Sequence, residues 1–189
     1  MKKASNAEVC VLASGGIDST ACLKFYLDRH YKVLPLFVGY GQPARAAEFR
    51  SIHAVCRHFG LHPRVVNITG FRALACGELC GRNLFLISVA LMATQGSTNL
   101  ISLGIHAGTR YFDCGSDFMR EAESLTSSYT DGRVKLGAPF LNWVKQDVFR
   151  YCVEREIPVK MTWSCEASSK KPCGKCLSCR DREGLFASA

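Results

Sequence analysis

Val9-Cys10-Val11-Leu12-Ala13-Ser14-Gly15-Gly16-Ile17-Asp18-Ser19-Thr20 sets an apolar run against a Gly-Gly turn and the start of a helix. The run of residues 9–13 reads as a short buried strand. Two adjacent glycines let the backbone turn tightly and come close to a ligand. Ser19 and Thr20 add hydroxyl donors. The open amides at the start of the following helix, and its dipole, favour an anion. A strand, a Gly-rich turn and a helix start are together what a phosphate group requires. No lysine of the Gly-Lys-Ser/Thr kind is present, so this is not the usual P-loop of kinases and GTPases. The plainer alternative is a Gly-Gly turn with an Asp or Ser helix cap, but a cap alone does not call for all seven residues 14–20.

Outward from this stretch, strand-like and helix-like segments alternate. Residues 19–29 carry Ala21, Cys22, Phe25 and Tyr26 at helical spacing. Residues 32–38 read as a second strand and residues 39–43 as a loop, with Pro43 suited to the first turn of a helix over 44–59 that Gly60 ends. Residues 63–68 form a third strand, 83–94 a strongly apolar buried helix and 99–103 a fourth strand. A polar loop to Cys114 leads to a helix over 116–125. A weak fifth strand over 134–137 and an amphipathic helix over 142–155 precede a cysteine-rich tail. Repeated strand–helix units predict an α/β fold, a five-stranded parallel sheet with helices on both faces. Ligands of such sheets sit beyond the carboxyl ends of the strands. That rule gathers the 14–20 loop, the 39–43 loop, the 104–114 loop and the helix start after Pro139 into one cleft. No internal repeat, low-complexity tract or linker interrupts the chain.

With 189 residues and 48% hydrophobic content the chain suits one domain with a sizeable core. No apolar run reaches the length of a membrane span. Met1-Lys2-Lys3 is not followed by a secretory apolar segment, so the expectation is a cytoplasmic protein without a signal peptide. The net charge of +8 suits anionic partners such as ATP, nucleic acid or an acidic protein. The basic residues are scattered, and no aromatic residues interleave with a basic run as on an RNA platform, which argues against direct nucleic-acid binding.

Eleven cysteines are many, but the odd count and the helix-rich apolar pattern argue against a disulfide scaffold. Seven are scattered among apolar neighbours and read mostly as small buried hydrophobes. Four lie close together: Cys165, then Cys173-Gly174-Lys175-Cys176-Leu177-Ser178-Cys179. Three cysteines at intervals of three form a knuckle, and the fourth returns from upstream. Four thiolates make a closed tetrahedral shell, the usual structural zinc site. An iron–sulfur cluster takes comparable ligands, so the spacing alone leaves both open.

Ser14-Gly15-Gly16-Ile17-Asp18-Ser19-Thr20 resembles the pyrophosphate loop of the PP-loop ATP pyrophosphatases, whose fold is adenine nucleotide α-hydrolase-like and Rossmann-like. That family cleaves ATP between the α and β phosphates and leaves AMP on an acceptor. Together with the Cys₄ tail, the chain is similar to one branch, the 7-cyano-7-deazaguanine synthases of queuosine biosynthesis. Gly39-Tyr40-Gly41-Gln42, Gly81-Arg82-Asn83, Gly104, Lys145 after Pro139, Thr162-Trp163-Ser164-Cys165 and Pro172-Cys173-Gly174 all match that branch, so the resemblance covers nearly the whole chain.

The resemblance implies conversion of 7-carboxy-7-deazaguanine and ammonia to the nitrile. ATP adenylates the carboxylate, ammonia displaces AMP to give the amide, and a second ATP activates the amide oxygen. It implies ATP with Mg²⁺ as the nucleotide, Zn²⁺ on Cys165, Cys173, Cys176 and Cys179, and two units: a PP-loop domain over 1–160 and a zinc lobe over 161–189 packed as part of it. Ala13, Ser14, Gly15, Gly16, Ile17, Asp18, Ser19 and Thr20 would hold phosphates and ribose, and Val38 and Gly39 would meet the adenine. Asp18 and Lys145 are the candidate catalytic residues, Asp18 aiding magnesium or the loop. Gly41, Gln42, Arg82, Asn83, Gly104, His106 and Asp113 are the candidate substrate residues. The assembly it allows is a homodimer.

Two stretches depart from that branch. The segment between the third strand and Gly81 is much shorter, where members insert a helix or two. The fourth loop, Gly104-Ile105-His106-Ala107-Gly108-Thr109-Arg110-Tyr111-Phe112-Asp113-Cys114-Gly115, lacks the acidic residue members carry near position 108, and Gly115 stands where they carry an arginine. His106 could be a general base and Cys114 a nucleophile, although a loop histidine more often only hydrogen-bonds and the chemistry above needs no thiol. These departures motivate a second reading: a compact relative that keeps adenylation but modifies a protein terminus or a nucleic-acid base, as in an anti-phage defence or DNA-modification system with a protein partner. A catalytically silent nucleotide- or zinc-binding module is a third, and the complete 14–20 loop argues against it.

Overall fold

The computed structural model describes residues 7–187 except 72, 73, 75, 76, 110, 168 and 169. The start Met1-Lys2-Lys3, Arg110 of the fourth loop and Cys76 lie outside the described residues. Five strands, β1 (Glu8–Leu12), β2 (Lys32–Gly39), β3 (Arg64–Asn67), β4 (Leu100–Leu103) and β5 (Lys135–Gly137), form one sheet in the order β3-β2-β1-β4-β5. Every pairing is parallel, with Val9 opposite Val33 on one side and Leu100 on the other.

Alternation along β1 divides the core. Val9 and Val11 face one layer with Ile17, Leu23, Ile52, Phe140 and Val148. Cys10 and Leu12 face the other with Ile87, Ala90, Phe118 and Val134. The first layer is covered by α1 (Ile17–Leu27), α2 (Arg45–His58) and α5 (Lys145–Glu154), the second by α3 (Arg82–Thr94) and α4 (Ser116–Thr130). Helices therefore cover both faces, as the strand–helix alternation predicts. Because β2 and β3 lie to one side of β1 while β4 and β5 lie to the other, the chain reverses direction between β1 and β4. That is the topological switch point, where doubly wound sheets open a crevice beyond the strand ends.

Three helices depart from the sequence reading by more than two residues. α4 runs to Thr130, five residues beyond the expected end. Its last turn is rich in Ser and Thr, weak helix formers, yet Thr126 and Thr130 are buried and the Thr130 hydroxyl donates to the Thr126 carbonyl at 2.8 Å. Packing overrides propensity there. α5 begins at Lys145 and not at 142, because residues 138–143 fold into two tight turns around buried Phe140, with the Trp143 amide donating to the Phe140 carbonyl at 2.9 Å. The tail also contains a helix that periodicity does not reveal, α6 (Leu177–Ala187), in which only Cys179 and Leu185 are buried. Five of the scattered cysteines, Cys10, Cys22, Cys56, Cys114 and Cys152, are buried as small hydrophobes, whereas Cys80 is exposed.

Candidate functional site

The loop between β1 and α1 opens at the switch point. Gly15 has φ +81°, and a Cβ there would lie 2.7 Å from the Ile52 amide nitrogen, so only glycine fits both the backbone and the space. The Gly15 carbonyl is held by two donors, the Ser51 hydroxyl of α2 at 2.7 Å and the Trp163 amide at 2.9 Å. The Gly16 amide donates to the Ser14 hydroxyl oxygen at 3.3 Å, in an exposed bond at the mouth of the loop. The Ser19 and Thr20 hydroxyls donate back to the Gly16 carbonyl at 3.2 and 2.8 Å. α1 starts at Ile17, which puts Asp18 and Ser19 in its first turn.

Asp18 meets Lys145 across this opening: the ammonium lies 2.6 Å from Oδ1 and 2.5 Å from Oδ2. Lys145 is the first residue of α5, a position where the helix dipole disfavours a cation. The carboxylate offsets that cost, and the pair brings two helix N-termini side by side. Gly104, at the end of β4, packs directly under this turn. A Cβ on it would lie 2.7 Å from the Asp18 carbonyl oxygen and the Ser19 amide nitrogen. Gly104 is thus placed by close backbone approach, and a side chain there would force that turn to shift.

The 39–43 loop forms a second group. The Gln42 amide turns inward, its Oε1 accepting from the Tyr40 amide at 2.8 Å and its Nε2 donating to Glu48 Oε2 at 2.8 Å and to the Val38 carbonyl at 3.2 Å. Burial raises Glu48 above the usual carboxylate range, opposed by the Gln42 bond and the Arg82 charge. Burial also raises Tyr40, whose hydroxyl Arg82 meets. Tyr40, Gln42, Glu48 and Arg82 therefore sit together, while Gly41 is exposed. Gly39 lies beneath an Arg45–Asn67 hydrogen bond of 2.7 Å, and Val38 is buried in the core.

Asn83 and Asp113 make a third group. The Asp113 carboxylate accepts from the Asn83 amide at 3.0 Å and the Asn83 side chain donates to the Asp113 carbonyl at 2.7 Å, so the fourth loop caps α3. Burial pushes the neighbouring Cys114 thiol up, away from the range of a nucleophile. His106 has its Nδ1 2.6 Å from the Ala107 carbonyl, which makes that nitrogen a donor to its own loop.

In the tail, the sulfurs of Cys165, Cys173, Cys176 and Cys179 lie within 4.8 Å of one another. The Cys173 sulfur accepts from the amides of Lys175 and Cys176 at 3.4 and 3.3 Å, and the Cys165 sulfur from the Cys173 amide at 3.3 Å. Those amides pull the Cys173 thiol down to about 6. Four converging sulfurs with amides already turned toward them fit a tetrahedral metal ion. Sequence reasoning had no role for Ser51, Glu48 or Arg182. Arg182 reaches from α6 to Thr162 Oγ1 at 2.8 Å, Ser164 Oγ at 3.3 Å and the Val159 carbonyl at 2.9 Å. Only the contacts reveal these three, although the polar residues at one-turn spacing on α2 are visible in the sequence.

A parallel sheet in this order, with a Ser-Gly-Gly-Ile-Asp-Ser-Thr loop at its switch point, makes the chain a PP-loop protein of adenine nucleotide α-hydrolase-like fold. Solved structures agree on the fold. A 4-thiouridine synthetase in complex with RNA and ATP aligns at TM-score 0.59 and 16% identity, over 96% of this chain and 50% of that one. NMN synthetase from Francisella tularensis aligns at TM-score 0.56 and 11% identity, over 96% of this chain and 77% of that one. The chain belongs to the QueC family: the model described as queuosine biosynthesis protein QueC matches residues 8–80 and 78–189. The two matched pieces meet just before Gly81. Among those relatives, 7-cyano-7-deazaguanine synthase 1 of Desulfitobacterium hafniense is 30% identical over 93% of this chain and 90% of that protein. The 7-cyano-7-deazaguanine synthase of Nautilia profundicola is 25% identical over 100% of this chain and 95% of that protein. Among the described residues no helix is long and apolar enough to cross a membrane.

Proposed function

We propose that the protein is an ATP-dependent, AMP-forming ligase that converts 7-carboxy-7-deazaguanine and ammonia to 7-cyano-7-deazaguanine. The observation that carries this reading is the meeting of Asp18 and Lys145 at 2.5–2.6 Å beside the 14–20 loop. Two helix N-termini, the outward Gly16 amide and one lysine gather at the opening where a pyrophosphate would lie. Family membership and the named relatives supply the acceptor.

A carboxylate oxygen is a poor leaving group. Attack of the substrate carboxylate on the α-phosphorus forms the C–O–P bond of an acyl adenylate and expels pyrophosphate. Ammonia then adds to the acyl carbon, and the C–O bond to AMP breaks to leave the amide. In the second cycle the amide oxygen is adenylated in the same way, and loss of AMP with two N–H protons gives the nitrile. Residues 13–20 hold the phosphates and ribose. Lys145, oriented by Asp18, stabilises charge on the departing pyrophosphate. Val38 and Gly39 flank the adenine. Mg²⁺, an ion that keeps waters and takes few protein ligands, would neutralise phosphate charge, and Asp18 would serve it chiefly by orienting Lys145. Arg82, with Gln42 and Gly41 on one side and Asn83, Gly104, His106 and Asp113 on the other, borders the deazapurine. Cys165, Cys173, Cys176 and Cys179 would hold Zn²⁺, which would supply folding energy to the lobe over 161–189, packed with 1–160 as one domain.

The fourth loop favours a second reading on one observation. His106, Asn83 and Asp113 are bonded within the protein, which leaves few polar groups to read a purine edge. The alternative acceptor is then a protein terminus or a nucleic-acid base. Incubation with ATP, Mg²⁺, ammonium and 7-carboxy-7-deazaguanine, followed by mass spectrometry, separates the two. Nitrile, with two AMP released for each one formed, supports the first reading. AMP that appears only when another acceptor is supplied supports the second. Under the first, Lys145→Ala and Asp18→Ala lower AMP release by about 10²–10³-fold with the fold intact, the scale of losing one preorganised charge contact. Retained turnover would remove either residue from the mechanism.

A further inference from the structure

The cysteine lobe and the pyrophosphate loop touch through a short run of hydrogen bonds. Cys179 and Arg182 lie one turn apart on α6. The Arg182 guanidinium clamps Val159, Thr162 and Ser164. The Trp163 indole donates to the Cys165 carbonyl at 2.8 Å, which fixes Trp163 to a metal-ligand residue. The Trp163 amide then donates to the Gly15 carbonyl at 2.9 Å. Ser51, buried in α2, stands between the same two segments, its hydroxyl 2.7 Å from the Gly15 carbonyl and 2.8 Å from the Met161 carbonyl.

The consequence lies in one peptide plane. Among the described residues all peptide bonds are trans, so the Gly16 N–H points opposite to the Gly15 carbonyl. With the carbonyl pinned inward by Ser51 and Trp163, the N–H must face the open side, toward an anion. A flipped plane would present a carbonyl oxygen to a phosphate instead. A Gly-Gly peptide has little of its own to prevent that flip. Within the loop only the Ser14 hydroxyl oxygen holds the N–H, at 3.3 Å; the two bonds on the carbonyl come from outside it.

We propose that the Cys₄ lobe sets the orientation of the Gly15–Gly16 peptide, so that metal occupancy of the lobe and nucleotide affinity of the loop are coupled, with Ser51, Trp163 and Arg182 as positioning residues. This rests on the reading that the 14–20 loop holds the phosphates of ATP. Four sulfurs within 4.8 Å of one another need a cation to stay together as thiolates. Without one the 165–179 segment loosens, and Trp163 and Arg182 lose their fixed positions. By linkage the effect is reciprocal: whatever factor the metal adds to ATP affinity, ATP adds to metal affinity.

The test uses the zinc-loaded protein, with ATP affinity read by calorimetry and zinc affinity by competition with a chromogenic chelator, with and without ATP. In the wild type ATP tightens zinc binding by about tenfold, within the usual range of coupling between sites. Ser51→Ala, which touches no sulfur, weakens ATP binding by about the same factor. It leaves zinc affinity without ATP within about twofold of wild type and removes most of the tightening that ATP confers. Arg182→Lys, which keeps the charge but loses the fork, gives an intermediate loss and serves if Ser51→Ala does not fold. Zinc affinity indifferent to ATP in the wild type, or wild-type ATP affinity in the variants, overturns the proposal. Absence of ATP binding in the wild type overturns instead the reading of the loop on which it rests.

Discussion

At the residue scale, Gly104 and Glu48 show how little room the site leaves. Gly104 was legible in the sequence as a family position, and its match suggested a substrate contact. The structure gives a different physical cause, since its missing Cβ makes way for the Asp18–Ser19 peptide. Backbone meets backbone there, so neither side yields easily. Gly104→Ala should cost about 1–3 kcal/mol, the usual range for overpacking, and should shift the first turn of α1 away from Lys145. Urea denaturation reads the stability loss and AMP release the second effect. An unchanged midpoint would show that α1 can move freely. Glu48 is raised above its ordinary 4.5, chiefly by burial. The folded state therefore holds its proton more tightly than the unfolded chain. The associated stability is present below about pH 4.5 and fades as pH rises through the raised value. Glu48→Gln keeps an acceptor for Gln42 without the buried charge. Its melting temperature should exceed the wild type's at pH 7.5, and the gap should close toward pH 4. A gap independent of pH would mean that Glu48 titrates normally.

At the element scale, the strands and the first three helices were readable because apolar runs and helical spacing dominate there. β1 is almost wholly apolar, and α2 closes at Gly60, with the Leu61 amide bonded to the Cys56 carbonyl at 2.7 Å. The end of α4 was not legible, since its stability comes from the burial of Thr126 and Thr130, which composition does not show. α6 was hidden because a residue of the four-cysteine cluster and an arginine clamp hold it, with only Leu185 from the apolar core. The start of α3 is a further case. No side chain of its own caps it, and the Asp113 carboxylate arrives from another loop, 30 residues on in sequence. Asp113→Ala should cost about 1 kcal/mol, as losing a cap does, and should free the 104–114 loop. If Asp113 only caps, Asp113→Asn restores stability and the KM for the deazapurine together. If it also meets substrate, stability returns and KM does not.

At the scale of the whole molecule, two kinds of cohesion meet. The sheet and its helices are held by apolar burial on both faces, whereas the tail has four sulfurs and a half-buried guanidinium. Structural metal binding contributes folding energy directly, so removing the ion should melt the lobe before the sheet. The cysteines report this without a probe. Burial pushes Cys10, Cys22, Cys56 and Cys152 up to about 12, and a thiol so protonated and enclosed hardly reacts at neutral pH. In the metal-loaded protein iodoacetamide should label exposed Cys80 and leave Cys165, Cys173, Cys176 and Cys179 intact. After chelation those four should label within minutes, while the core four stay protected until global unfolding, because local opening needs far less free energy than opening the core. Cys176→Ser should reproduce the chelated pattern at its three remaining ligands. Peptide mapping by mass spectrometry distinguishes the outcomes. Concurrent labelling of core and lobe would show instead that the sheet depends on the metal, and that the α/β core is not self-sufficient.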